Sequence, residues 1–301
     1  MSKHSFKEWL FATRPWSFPA SVMPVLVSIA YILWVAHDLN FDNVKWLNGL
    51  LAIVAMVLFQ AAGNTWSDLH DYRSGVDTAD SYGVKILTSK AFSEKEIQHL
   101  SIGLLVCAMV IGFCICFMSG WWTLVIGIAG IIFTVFYPWL KYRAFGDITI
   151  FFSYGVLPFL GTSYVLTGTM LWSAMWLAIP VGLITVAILH VNNTRDIETD
   201  ARAHITTFAM LIGFNKSKAV YVAEILIPFA AIILLVTAGV LPAWTLISLI
   251  ALVPAMKNVQ AMSHSIATDT NRILALDAAT AQLQLVFSLL LCVSFVIASI
   301  A

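Results

Sequence analysis

The chain has 301 residues, 60% of them hydrophobic and only 11% charged, with a mean hydropathy of +0.89. A soluble domain carries about a quarter charged residues, so this composition excludes one and points to an all-α, polytopic membrane bundle. Sixteen Lys and Arg balance sixteen Asp and Glu; that balance says nothing about nucleic acid, no basic patch with interleaved aromatics argues for it, and no nucleic-acid partner is expected.

Crossing a ~30 Å hydrocarbon core takes about 20 apolar residues. The first such run, 19–37, follows Lys3, Lys7 and Arg14 and opens as "RPWSFPASVMPVLVS", bent at its entrance by Pro15, Pro19 and Pro24. It is long enough to span, and no cleavable signal peptide is expected before it. The second run, 46–66, ends in "NTWSDLHDYRSGVD", Asn64 to Asp77. Runs at 98–119 and 121–140 follow, the latter opening on Trp121 and Trp122 as interfacial anchors. Runs at 147–167 and 172–192 come next, and the sixth ends in a second acidic stretch, "NNTRDIETD". Runs at 218–240, 242–258 (the shortest, holding Pro254) and 279–300 bring the expectation to about nine spans. Cys107, Cys114, Cys116 and Cys292 all fall inside spans without metal-type spacing and read as small packing residues. The loops are too short for a second unit, so residues 1–301 are expected to form one membrane domain.

Basic residues set the orientation. Of the sixteen Lys and Arg, only Lys45 falls on the side opposite the rest. The positive-inside rule therefore puts the N-terminus and both acidic stretches on the cytoplasmic face.

Asn64, Asp68 and Asp71 are spaced four and three apart, and Asn192, Asp196 and Asp200 four and four. On continuing helices each set shares one face. Carboxylates at a helix C-terminus oppose the macrodipole and repel one another. A divalent cation removes both penalties, and all-oxygen ligands suit Mg²⁺, which is usually bound together with substrate phosphates. Asp77 and Asp80, taken singly, read as solvated loop charges.

These two stretches resemble the paired Asp-rich motifs of the UbiA superfamily of membrane prenyltransferases. The resemblance extends over "RPWSFPASVMPVLVS", "YRAFGDITIFF", "GTSYVLTG" and the Tyr137-x-x-x-Lys141 element. Within the superfamily, the chain is most similar to the 1,4-dihydroxy-2-naphthoate polyprenyltransferases of menaquinone synthesis. The resemblance implies nine helices around a central cavity open toward the cytoplasmic face of the cell (inner) membrane. It also implies Mg²⁺-dependent transfer of a polyprenyl group from its diphosphate to an aromatic acceptor, dihydroxynaphthoate, with loss of CO₂. Asp68, Asp71, Asp196 and Asp200 then hold Mg²⁺ at the reacting diphosphate. Asn64, Asn192 and Asn193 orient ligands, Tyr137 belongs to the substrate site, and Lys85, Lys141, Arg143, Arg195 and Arg202 neutralise diphosphate. Preorganised cations are what a departing diphosphate needs, and aromatic faces suit the allylic cation left behind.

Two departures from the pattern stand out. Ser67 replaces an Asn before the first Asp, and "AHITT" (Ala203 to Thr207) replaces "AGKRT", exchanging a basic pair for Ile205 and Thr206. Arg202 or His204 is then expected to cover the lost charge. Among the remaining polar residues, His190 reads as a satisfied side chain facing the cavity. His70 reads as a support for a metal ligand or as a loop histidine, and Glu224 as a carboxylate snorkelling to the nearby interface. Acceptors such as 4-hydroxybenzoate or another quinone, haem or lipid precursor remain open within the enzyme class. A cation-coupled transporter is the alternative outside it, although transporters place their acids near the membrane midplane.

Overall fold

The structure is a computed structural model describing residues 4–36, 43–78 and 84–301; Lys3 and Asp80 lie outside these residues. A short helix, α1 (Phe6–Ala12), begins with a reciprocal cap in which Ser5 N–H donates to the Glu8 carboxylate at 2.6 Å. Among the described residues, nine helical segments long and apolar enough to cross a membrane then follow. The first four are α2 (Phe18–Val35), α3 (Trp46–Arg73), α4 (Glu94–Ser119) and α5 (Trp122–Lys141). The fifth is built from α6 (Gly146–Ile150), a π-helical turn over Phe151–Val156, and α7 (Leu157–Thr167). The sixth is α8 (Ala178–Arg195), entered through a 3₁₀ turn, and two short helices, α9 (Ile197–Arg202) and α10 (Phe208–Ile212), come after it. The seventh is α11 (Phe214–Thr237). The eighth starts as 3₁₀ at Ala243–Ala251 and widens into α12 (Leu252–Ser263). Pro254 sits in the first turn of α12, where no helical N–H partner is needed. The last is α13 (Leu276–Ile300).

Neighbours in the bundle close a ring. Helix α2 packs against α3 on one side and α13 on the other, and α3–α4, α4–α5, α5–α6, α6–α8, α8–α11, α11–α12 and α12–α13 complete the circuit. Large apolar side chains on α4 and α5, such as Phe113, Phe117, Ile128 and Phe136, are exposed, as a lipid-facing surface requires. Fully buried Phe159, Tyr221, Phe287 and Phe295 belong to the core of the C-terminal half.

Three local features decide where the polar residues go. Helices α3 and α8 continue past the expected span ends to Arg73 and Arg195, so the first acidic stretch stays helical through Asp71. Lys45, the isolated cation, donates to the Met118 carbonyl at the C-terminal end of α4, where a positive charge meets the negative end of a helix. It lies one helix length, roughly 40 Å, from Asp71. Finally, α8 crosses the π-helical turn at a pair of glycines. A Cβ added to Gly182 would stand 3.1 Å from Gly155 Cα and 3.2 Å from the Phe151 ring. That close crossing brings α6 against α8.

Candidate functional site

A cavity of about 520 Å³ opens within the bundle. Its inner wall is apolar and aromatic, with Phe133, Tyr154, Ile150, Ile188 and Leu189. Its other wall carries the ends of α3 and α8. Five carboxylates line it (Asp71, Asp77, Asp196, Asp200 and Asp277), against three cations, Arg14, Lys141 and Arg195.

On the α3 side, Asp71 is buried and held by three side chains, the Ser67 hydroxyl donating to Oδ2 at 3.4 Å. The Tyr142 hydroxyl donates to Oδ1 at 2.6 Å and the Lys141 ammonium to Oδ2 at 3.3 Å. The backbone turns back on itself here, with Val76 and Asp77 N–H both donating to the Asp71 carbonyl, at 2.9 and 3.1 Å. This turn swings Asp77 into the cavity. Asp68, 1% exposed, accepts from the guanidinium of Arg14, while its second oxygen is buried without a partner. Arg14 itself has left-handed backbone, φ 56°, ahead of Pro15. That turn is gripped by Asn64, whose amide donates to the Thr13 carbonyl and the Ser17 hydroxyl, each at 2.9 Å.

On the α8 side, Asp196 ends α8 and begins α9. The helical spacing survives the break, because Asp196 N–H donates to Asn192 O and Asp200 N–H to Asp196 O, each at 2.9 Å. Arg195 clasps Asp196 with both arms, Nε to Oδ1 at 2.7 Å and Nη2 to Oδ2 at 2.8 Å. Its other nitrogen reaches toward Asp277, 3.7 Å away. Asn192 lines the cavity with a side-chain oxygen that is buried and unpartnered.

Burial raises the Asp200 carboxyl to about 7, helped by repulsion from Asp196 and Asp71 and opposed by Lys141 and Arg195. Burial likewise raises Asp77 to about 6, with Asp71 adding to it. A carboxyl raised in the folded state favours folding below its unfolded value near 4, and that advantage is lost as pH climbs through the folded value. Metal-free protein should therefore lose thermal stability between pH about 4 and about 7, and Mg²⁺ should restore more of it at the higher pH. Unfolding temperatures in detergent, with Mg²⁺ or with chelator, check this. A flat metal-free profile would contradict it.

The excess of carboxylates over cations, the unpaired oxygens on Asp68 and Asn192, and the all-oxygen donor set together fit a hard divalent cation such as Mg²⁺. Of the residues expected from the sequence, Asn64, Asp71, Tyr137, Lys141 and the run from Asn192 to Asp200 converge on this cavity. Asp68, turned to Arg14 beside the cavity, does not line it, and neither do three basic residues. Lys85 sits in a surface groove with Lys7, Phe11 and Phe92. Arg143 lies 4.1 Å over the Trp139 ring, and Arg202 is exposed and bonded to the Glu198 carbonyl at 3.3 Å.

Other expectations shift as well. His70 turns back on its own helix, its Nδ1 2.9 Å from the Trp66 carbonyl. Glu224 does not snorkel; it is 8% exposed and faces His190, which is fully buried beside Asp147 rather than lining the cavity. At the departure from the family pattern, Ile205 is buried, while Thr206 N–H donates to Tyr142 O and Thr206 O accepts from Ala144 N–H, at 3.1 and 2.8 Å. The stretch that lost its basic pair thus braces the loop carrying Tyr142. Arg14, Asp77, Tyr142 and Asp277 were missed as site residues. The usable signal for Arg14 was a lone cation before "PWSFP" at a span entrance, and for Asp77 its place as third acid of the first stretch.

Residues 21–265 match the model of the UbiA prenyltransferase family. A 1,4-dihydroxy-2-naphthoate octaprenyltransferase of Mycobacterium leprae is 28% identical over 82% of this chain and 82% of its own length. Its namesake from Bacillus subtilis is 27% identical over 95% and 91%. Among solved structures, a UbiA homolog from Archaeoglobus fulgidus bound to GPP and Mg²⁺ superposes with a TM-score of 0.64 at 13% identity, covering 95% of this chain and 99% of that one. At that identity the likeness speaks for the fold.

Proposed function

The chain belongs to the UbiA prenyltransferase family, and from that premise we propose that it transfers a polyprenyl group from polyprenyl diphosphate to 1,4-dihydroxy-2-naphthoate, with loss of the acceptor's carboxyl as CO₂. The observation that carries the chemistry is the cavity itself, lined by surplus carboxylates together with apolar and aromatic side chains. The names of the bacterial relatives support the choice of acceptor.

In this reading Asp71, Asp196 and Asp200 hold Mg²⁺, with Asp77 beside them and Asp68 joining when Arg14 releases it. Mg²⁺ held there would supply positive charge to the diphosphate, which leaves as the bond between its oxygen and the allylic carbon breaks. Lys141 and Arg14 supply further positive charge where the leaving oxygens gather. Tyr137, Tyr154, Phe133 and Trp16 offer aromatic faces to the allylic cation. The ring carbon bearing the carboxylate then forms the new C–C bond. Aromaticity returns when the carboxyl leaves as CO₂ and its bonding electrons fall back into the ring, so no base is needed to collect a ring proton. Asn192 and Asn193, both lining the cavity, are placed to orient the reactants.

The deciding experiment gives purified protein a labelled polyprenyl diphosphate and a panel of acceptors, with and without Mg²⁺. Mg²⁺-dependent prenylation of the naphthoate with release of CO₂ supports the reading. Preference for 4-hydroxybenzoate would move the chain to another branch of the family, and metal-independent turnover would overturn the role of the acidic clusters.

We also place both acidic stretches on the cytoplasmic face, and read residues 1–301 as one domain. The placement follows from the fifteen basic residues on that side. A cysteine introduced at exposed Ser74 should react with an impermeant label only from the cytoplasmic side. Labelling from outside intact cells would invert the orientation.

A further inference from the structure

Behind the second acidic cluster lies a separate polar group with nothing to do in prenyl transfer as described above. Asp147 of α6, His190 of α8 and Glu224 of α11 meet inside the bundle, with their ligand atoms all within 4.8 Å of one another. His190 is fully buried and Glu224 is 8% exposed. His190 Nδ1 lies 2.6 Å from Asp147 Oδ2 and 3.8 Å from Glu224 Oε1. The other ring nitrogen, Nε2, lies 3.1 Å from the Ser217 backbone carbonyl. The Ser217 hydroxyl lies nearer, 2.8 Å from Nε2, and in the tautomer with hydrogen on Nε2 the ring donates to both Ser217 oxygens. In the neutral ring this turns the Nδ1 lone pair toward two carboxylates. The second oxygen of Glu224, Oε2, is buried with no partner at all.

With both carboxylates ionised, one imidazole leaves negative charge uncompensated even when protonated; a buried unpaired charge is costly, so either a proton or a cation has to supply the balance. One divalent cation bound by both carboxylates and a neutral Nδ1 makes the group electrically neutral. It also gives the orphaned Glu224 carboxylate a partner. A ligating histidine usually donates its other N–H to a carbonyl or carboxylate, the arrangement that the contact between Nε2 and the Ser217 carbonyl allows. Donors about 2.1 Å from a divalent ion stand roughly 3–3.4 Å apart. The separations of 2.6 and 3.8 Å straddle that range.

We infer that Asp147, His190 and Glu224 form a second metal site, taking a divalent transition ion such as Zn²⁺ or Mn²⁺ rather than Mg²⁺. The imidazole ligand makes the selection, since Mg²⁺ favours all-oxygen sites such as the acidic clusters. The role is one of positioning. Asn193 lines the cavity and donates to Asp147 Oδ1 at 3.3 Å. An ion tying α6, α8 and α11 together fixes that amide and the end of α8 from behind. The inference stands on these three helices and does not depend on which acceptor is prenylated.

Cobalt tests it without reference to turnover. Purified protein is stripped with chelator and titrated with Co²⁺, whose visible absorption is much stronger in a low-coordinate site with an imidazole than in six-coordinate oxygen sites. Wild type should develop an intense band saturating at one equivalent. Zn²⁺ should abolish the band stoichiometrically, and excess Mg²⁺ should leave it. An Asp196→Asn/Asp200→Asn protein should keep the band. Glu224→Gln and His190→Gln, checked for folding by size exclusion, should bind cobalt at least about 100-fold more weakly. Absence of an intense band in wild type, its removal by Mg²⁺, or its persistence in either folded variant overturns the site. The wild-type titration decides the question even if both variants fail to fold.

Discussion

Asp196→Asn protein should fold as wild type does and lose prenyl transfer by about 10³-fold, equivalent to ~4 kcal/mol of transition-state stabilisation. The substitution keeps the shape and a side-chain oxygen but removes the charge that a divalent ion needs. Asn is also well accepted where a helix begins, and Asp196 begins α9. Arg195 loses its two-armed carboxylate partner, yet it keeps the Leu274 carbonyl at 3.2 Å and Asp277 at 3.7 Å. The fold therefore has no reason to collapse. Half-saturating Mg²⁺ should rise in the same protein, which separates a lost metal ligand from a lost substrate contact. The readouts are single-turnover transfer across a Mg²⁺ series and helical content by circular dichroism. Wild-type turnover at low Mg²⁺ would remove Asp196 from the metal site.

The largest stability effect is expected at Arg14. Removing one partner of a buried ion pair costs about 3–5 kcal/mol, because the other charge stays buried and unpaired. Asp68 is that other charge, with a side chain only 2% exposed, but the Arg14 side chain is 29% exposed and partly solvated. Arg14→Ala should accordingly cost about 2 kcal/mol in metal-free protein. Adding Asp68→Asn should recover most of it, since the unpaired carboxylate is then gone. Mg²⁺ should also stabilise Arg14→Ala more than wild type, because a cation at Asp68 no longer competes with the guanidinium. Denaturant midpoints for both single variants and the double variant, with and without Mg²⁺, complete the cycle. Additive losses in the double variant would show that the two residues do not act as a pair.

Both tests probe a site of which the sequence displayed one part well. The acidic stretches were visible because four- and three-residue spacings put their members on one helix face, whatever the helix packs against. Their partners were not visible. Lys141 was expected at diphosphate, but its contact with Asp71 spans seventy positions. Lys85 and Arg202 carry the same charge and lie close to the acidic stretches in the chain, and Arg143 stands two residues after Lys141, yet none of the three lines the cavity. Near a helix end, one residue of register decides whether a cation points inward or into water, and hydropathy does not record that register. Glu224 shows the opposite error. A single carboxylate near a span end suggested snorkelling, and only the crossing of α6, α8 and α11 reveals a buried histidine facing it.

What the sequence determined by itself is the membrane bundle, its nine spans, and the placing of its acids at the ends of the second and sixth. These properties are sums over local windows: twenty apolar residues partition into lipid without regard to their neighbours, and helical periodicity is set by backbone hydrogen bonds. Tertiary structure alone decided which charges meet. Arg14 with Asp68, Lys141 with Asp71 and His190 with Asp147 are joined across 54, 70 and 43 positions. Charge pairing in a dry interior falls away over a few ångströms, and distances of that size between helices are fixed by packing details such as the Gly155–Gly182 crossing, which no local pattern encodes.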